Sequence, residues 1–217
     1  MEPGYDVLLA DPPWSYRNVR TGGSMKSGSL AKYQTLTVEQ LCQMHWPLNQ
    51  IVKPRSALFL WVTSPMKPEG LQVMGAWGYR YAATIYWDKT SVRRFWVEEL
   101  VRFVTELRES RLGMGHWYRG QVEELLVGIR GGYPAFRCQE RNIIREPSGP
   151  HSHKPTRSHE LIEKATPGTR RLELFATQKR PGWDAVGIEI DGQDIREALQ
   201  QMQTNQAAGT VSKEQDV

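Results

Sequence analysis

Hydrophobic positions along this 217-residue chain fall into short runs separated by polar turns, and the runs alternate between two periods. Residues 6–10 (DVLLA), 57–62 (ALFLWV), 81–87 (YAATIYW), 123–129 (EELLVGI) and 170–176 (RRLELFA) are compact, largely apolar stretches of strand length. Between them the spacing becomes helical. Thr37 and Gln40 have capping-box spacing at the head of TVEQLCQM. SPMKPEGLQVMGAWGY reads as a helix ending near Gly78. In residues 92–111, Trp96, Leu100, Phe103 and Leu107 recur at helical spacing, and Glu98 and Arg102 stand four apart, which predicts a helix. TRSHELIEKA (156–165) predicts another, stopped by Thr166-Pro167-Gly168, and DIREALQQMQ predicts the last. From Thr204 the sequence is polar and unpunctuated. The expectation is one ordered domain, residues 1–203, and a disordered tail, 204–217.

Short buried strands alternating with helices define an α/β fold with a mainly parallel sheet flanked by helices. In such sheets ligands bind outside the carboxyl ends of the strands. The first strand runs straight into Asp11-Pro12-Pro13-Trp14, so this stretch lies where a site belongs.

Composition narrows the class. Hydrophobic residues make up 39% and charged residues 24%, which are globular values. The net charge of +4 is unevenly spread: 26 bases face 18 acids up to residue 188, and six acids face two bases from Glu189 onward. A basic body fits an anionic partner such as nucleic acid. Cys42 and Cys138 form no CxxC pair and no HExxH is present, so neither a disulfide framework nor a metal site is expected. With no signal-like or membrane-spanning run, the expected location is cytoplasmic. No GxGxxG or P-loop lysine supports a dehydrogenase or an NTPase.

The DPPW stretch has a specific chemical content. Two prolines remove two N–H donors and fix φ, giving a stiff segment whose carbonyls are expected to stay out of local turn bonds. Asp11 adds an ionised acceptor, and Trp14 offers a wall for a planar ring. An aromatic amine suits such a place. Acceptors on both N–H groups would pull the nitrogen toward tetrahedral geometry and free its lone pair, an electrostatic effect of the kind worth roughly 3–4 kcal/mol per donor in oxyanion holes. A turn with a core tryptophan is the plainer alternative. Further along, Lys154 precedes Pro155, which is placed to be the first helical residue. A cation at the positive end of a helix makes sense where both face an anion, such as a ligand carboxylate. His116, in the GMGHWYRG loop, is given no chemistry.

DPPW after a strand, ALFLWVT, WGY at a helix end, GHW followed by EELLVGIRG, SHKP and PGTRRLELFA occur in a fixed order from about Tyr5 to Gly192. In this the chain resembles the adenine-N6 methyltransferases related to the seventy-kilodalton subunit of the eukaryotic messenger-RNA adenosine methyltransferase, a family with compact bacterial and phage members. The resemblance implies a Rossmann-like fold dependent on S-adenosylmethionine (SAM), permuted so that the catalytic strand precedes the cofactor strand. It implies that Asp11, Pro12, Pro13 and Trp14 form the catalytic tetrad, with the acid and a proline carbonyl on the target amino group and the base stacked on the aromatic. It makes Lys154 the partner of the SAM carboxylate, and places Asp11, Thr177 and Glu189 at the cofactor. Two positions depart from the pattern. Thr177 stands where an arginine often holds the ribose, with Lys179 and Arg180 as substitutes, and Ile188 stands where an asparagine is usual.

The implied reaction is direct methyl transfer to the 6-amino group of a flipped-out adenine, with no covalent enzyme intermediate. Tyr16, Arg17 and Arg20, with Lys26 and Lys32, follow the tetrad closely and are expected at the substrate, the cations on phosphates. Arg93, Arg94, Arg108, Arg111, Arg137, Arg141 and Arg145 would extend that surface. The family resemblance, rather than any residue, favours DNA over RNA. It leaves open a homo-oligomer or a partner subunit. A non-catalytic nucleic-acid-binding subunit and a small-molecule amine methyltransferase are the competing readings.

Overall fold

In a computed structural model, residues 4–15, 35–95, 105–110, 118, 120–149 and 153–214 are described. Seven strands form one mixed sheet in the order β7-β3-β6-β2-β1-β8-β9. These are β1 (Tyr5–Ala10), β2 (Val52–Thr63), β3 (Arg80–Asp88), β6 (Val122–Arg130), β7 (Ile143–Arg145), β8 (Arg171–Leu174) and β9 (Asp184–Val186). All neighbours run parallel except β6, which is antiparallel to both β2 and β3. The α/β architecture and the mainly parallel sheet are as expected. The reversed β6 brings its amino end, Glu123, to the same edge as the carboxyl ends of β2 and β3, opposite Thr63 and Trp87.

Side-chain alternation divides the core into two layers. Leu8, Ala10, Leu58, Leu60, Val62, Leu126, Leu172 and Leu174 face one side. There they meet α1 (Val38–Gln43), α2 (His45–Ile51), α3 (Lys67–Ala76) and α6 (Ile195–Glu214) through Leu41, Leu48, Val73 and Leu199. Val7, Leu9, Phe59, Trp61, Leu125 and Val127 face the other side, covered by α4 (Thr156–Ala165) through Leu161 and Ile162 and by Trp183. A short α5 (Ile188–Asp191) follows β9. No helix among the described residues is long and apolar enough to cross a membrane.

Local signals explain most elements. The Thr37 hydroxyl accepts from the Gln40 N–H while the Gln40 side chain accepts from the Thr37 N–H, the full capping box. Pro155 is the N-cap of α4 rather than its first helical residue, a shift of one position.

Two expectations are corrected. Residues 92–111 do not form one helix: β4 (Thr90–Phe95) and β5 (Thr105–Ser110) pair antiparallel as a separate two-stranded sheet. The register sets Arg94 opposite Glu106 and Ser91 opposite Glu109, and cross-strand pairing outweighs a helical spacing spread over both strands. Trp96, Leu100 and Phe103, on which much of that spacing rested, lie outside the described residues. The last helix also runs longer than the expected DIREALQQMQ, from Ile195 to Glu214. Gln, Ala and Met are strong helix formers, and extending a helix is easier than nucleating one.

Candidate active site

The edge of the sheet where β1, β2, β3 and β8 end collects the chemistry. Chain order reverses at β1: its neighbour on one side is β2, and on the other is β8, reached only after more than a hundred residues. This is a topological switch point, where an open α/β sheet leaves a crevice for a ligand. The registers Ala10↔Leu174 and Leu174↔Val186 put the next residues, Asp11, Phe175 and Gly187, level across that edge.

Alternation decides which way Asp11 points. Ala10 enters the layer containing α3 and α6, so Asp11 turns to the α4 side. There the Lys154 Nζ lies 2.9 Å from its Oδ2 and 3.2 Å from Glu123 Oε2. Lys89 binds the other Glu123 oxygen at 2.5 Å. Two aromatic faces back the cations: Lys154 lies 5.5 Å from the Trp61 ring centre, and Lys89 lies 4.9 Å from that of Trp87. The result is a chain of alternating charge, Asp11–Lys154–Glu123–Lys89, built from β1, the residue pair before α4, β6 and the end of β3. Its outer member is reachable, with 38% of the Asp11 side chain exposed against 18% for Lys154 and 12% for Glu123.

The charges are unequal in stability. Burial pushes the Asp11 carboxyl above the usual carboxylate range; Lys154 pulls it back, while Glu123 and Glu173 add to the push. Burial works against the Glu123 charge as well, but Lys154 and Lys89 outweigh it and hold that carboxyl below its ordinary value. Burial by itself would also depress the Lys154 ammonium; its two carboxylate partners overcome this and raise it. Lys154 therefore stays charged, and Asp11 is the acid that is held least firmly as an anion.

The prolines behave differently from the expectation. The Pro12 carbonyl accepts from the Trp14 N–H at 2.8 Å, and the Pro13 carbonyl accepts from the Leu36 N–H at 2.9 Å. Their first lone pairs are used locally, and one remains on each. Trp14 is not an open wall. Only 6% of it is exposed, it packs in the core with Leu36, and its indole N–H donates to the Trp61 carbonyl at 3.0 Å. A buried ring held by its N–H braces the motif. Trp14 also pairs with Leu36 in an isolated parallel bridge, and the sequence between them includes the segment 16–34. Tyr16, Arg17 and Arg20 belong to that segment and lie outside the described residues, as do Lys26, Lys32, Arg111 and His116.

Thr177 and Glu189 are both exposed, just past the ends of β8 and β9. Their turns meet where Gly187 touches Ala176: a Cβ on Gly187 would lie 2.3 Å from the Ala176 oxygen and 2.7 Å from its nitrogen. Next to it, Phe175 adopts φ 61°, a left-handed conformation that is costly for an aromatic residue. With the Lys154 ammonium and the Asp11 and Glu123 carboxylates at this edge, the donor set fits SAM, which carries a carboxylate, an amine and a sulfonium. Glu123 was missed in the sequence. The signal was an acid heading a buried strand, which has to find a cation.

These features define a Rossmann-like α/β fold of the methyltransferase type. Residues 5–189 match the family model MT-A70, and the chain belongs to the MT-A70 family. It is 31% identical over 191 residues to the N(6)-adenosine-methyltransferase subunit METTL3 of Danio rerio, covering 87% of this chain and 28% of that protein. Against the N(6)-adenosine-methyltransferase catalytic subunit METTL3 of Homo sapiens the identity is 30%, with the same coverage. The Type II methyltransferase M.MunI of Mycoplasma sp is 28% identical over 213 residues, covering 88% of this chain and 80% of that protein. The chain thus spans less than a third of the METTL3 proteins and most of M.MunI.

Proposed function

We propose that the protein is a SAM-dependent adenine-N6 methyltransferase acting on nucleic acid, with DNA the favoured polymer. The observation that carries this reading is the reachable Asp11 carboxylate at the strand-reversal crevice, held by a buried lysine that a second acid shares. The relatives named N(6)-adenosine-methyltransferases support the reaction. The preference for DNA rests on the match to most of a compact type II methyltransferase, where METTL3 is matched over only a fraction.

In this reading Asp11 accepts one N–H of the target amino group, and the free lone pair of a proline carbonyl accepts the other. The nitrogen's own lone pair is then left pointing away from the protein acceptors. Trp14 fixes the motif through its bond to Trp61 instead of stacking on the base. Lys154 works against the burial that raises the Asp11 carboxyl and, because Glu123 has Lys89 as a second partner, is able to turn toward the carboxylate of SAM. Thr177 and Glu189 sit at the ribose end of the same edge, where Glu189 accepts from hydroxyls. SAM supplies an electrophilic methyl group. Tyr16, Arg17 and Arg20, which follow the motif in sequence, contact the substrate.

The test offers the pure protein methyl-labelled SAM with adenine-containing DNA and RNA oligonucleotides and identifies the product nucleosides by mass spectrometry. N6-methyldeoxyadenosine is expected. Label only in RNA would overturn the choice of polymer, and label at another atom would overturn the assignment of the amine.

A further inference from the structure

The site edge holds a third acid that the chemistry above does not use. Glu173 sits in β8 between Leu172 and Leu174, whose side chains enter the opposite core, so it faces α4 together with Asp11 and Glu123. It is level with Leu9, two residues before Asp11 on the adjacent strand. Its charge adds to the upward push on the Asp11 carboxyl. An unrestrained carboxylate here would be a third claimant on Lys154, which already serves two.

Glu173 is held instead by His159, from the first turns of α4. The two are 3.0 Å apart, His159 Nε2 to Glu173 Oε2. His159 is 5% exposed and packs edge-on against Trp183, with ring centres 5.2 Å apart. Arg171 lies over the other part of that cluster, 5.9 Å from the Trp183 ring centre, and Glu163 accepts the Trp183 N–H. On the far side of the imidazole, Nδ1 is 3.5 Å from the Ser158 oxygen. The Ser158 hydroxyl donates to the Pro155 carbonyl at 2.7 Å, so its hydrogen is spent elsewhere. Set against the Glu173 carboxyl oxygen, Nε2 is the ring nitrogen that donates.

We propose that His159 is a positioning residue for the Asp11–Lys154 pair: it binds the Glu173 carboxyl from the α4 side and keeps it from competing with Asp11 for Lys154. One short stretch, from Lys154 to His159, then delivers both groups that sort three acids among their partners. The importance of this for turnover rests on the methyltransferase reading, but the arrangement itself is tested without it.

The experiment follows the titration of Asp11 by NMR on protein labelled at the aspartate carboxyl carbons, assigned with Asp11→Asn. It compares wild type, His159→Gln, His159→Leu and the double variant His159→Leu/Glu173→Gln, with circular dichroism checking the fold and methyl transfer measured in parallel. His159→Gln retains an N–H donor and should leave the Asp11 midpoint in place. His159→Leu should raise it by about half a pH unit or more, and neutralising Glu173 in the double variant should bring it back. At a pH below the Asp11 midpoint the rate of transfer should fall by up to about threefold in His159→Leu, the limit that a half-unit shift sets, at unchanged KM for the oligonucleotide, and recover in the double variant. An unmoved Asp11 midpoint in folded His159→Leu, or a raised midpoint that persists in the double variant, overturns the proposal. Should His159→Leu fail to fold, Glu173→Gln alone must lower the Asp11 midpoint, and an unchanged value is equally fatal. Midpoints that move as stated in a protein that transfers no methyl group would sink the proposed function and leave the positioning role standing.

Discussion

Asp11 is the residue on which function and stability pull apart. Its carboxyl is raised by burial, so the folded protein disfavours its charged form at neutral pH. Asp11→Asn is therefore expected to melt at or above the wild-type temperature at pH 7. The gain should vanish in acid, where the wild-type carboxyl is protonated as well. Glu123 has the opposite sign. Its carboxyl is held below the ordinary value, so it contributes stability that is present above the unfolded glutamate value and lost as pH falls through its folded one. Glu123→Gln should cost about 1.5–3 kcal/mol at pH 7, the range for hydrogen bonds to charged groups, read from denaturant melts. Asp11 and Lys154 were legible in the sequence because each sits in a dense local pattern, an acid before two prolines and a lysine before a helix. Glu123, Glu173 and His159 were not. They come from separate strands and a helix, and what unites them is the face of the sheet on which alternation places them.

Among elements, the apolar runs marked the five principal strands, and the capping box marked α1. Thr37→Ala should cost about 1 kcal/mol, since both halves of the box are formed. The β4–β5 pair was invisible for a physical reason. No Gly, Pro or Asn occurs between the strands to announce a turn, while the apolar positions recur at helical intervals. The helix α2 hid behind Pro47, which reads as a breaker but falls in the first turn, where proline is tolerated. β7 and β9 are three residues each, too short to show a period. The turn after β8 and the start of α5 meet through Gly187, where a side chain has no room. Gly187→Ala should destabilise by about 1–3 kcal/mol, because the displaced neighbour is backbone. It should also weaken SAM binding in calorimetry more than a surface substitution such as Thr177→Ala.

For the whole molecule, the fold brings groups from β1, β3, β6, β8 and the start of α4 to one edge, at the point where strand order reverses. A site built this way responds to pH as a unit. In the proposed mechanism Asp11 acts as an anion, and its carboxyl lies above the usual aspartate value, so activity should fall on acidification earlier than a free aspartate of pKa about 3.9 would dictate. A rate profile between pH 4 and 8 at saturating SAM checks this. The most direct test of the central claim, that Asp11 acts on the amine rather than holding up the fold, is single-turnover methyl transfer to an adenine-containing DNA oligonucleotide by wild type and Asp11→Asn, beside calorimetry of SAM binding to both. The account predicts that Asp11→Asn binds SAM measurably, melts no lower than wild type and transfers no detectable methyl group. Transfer by Asp11→Asn at the wild-type rate would contradict it.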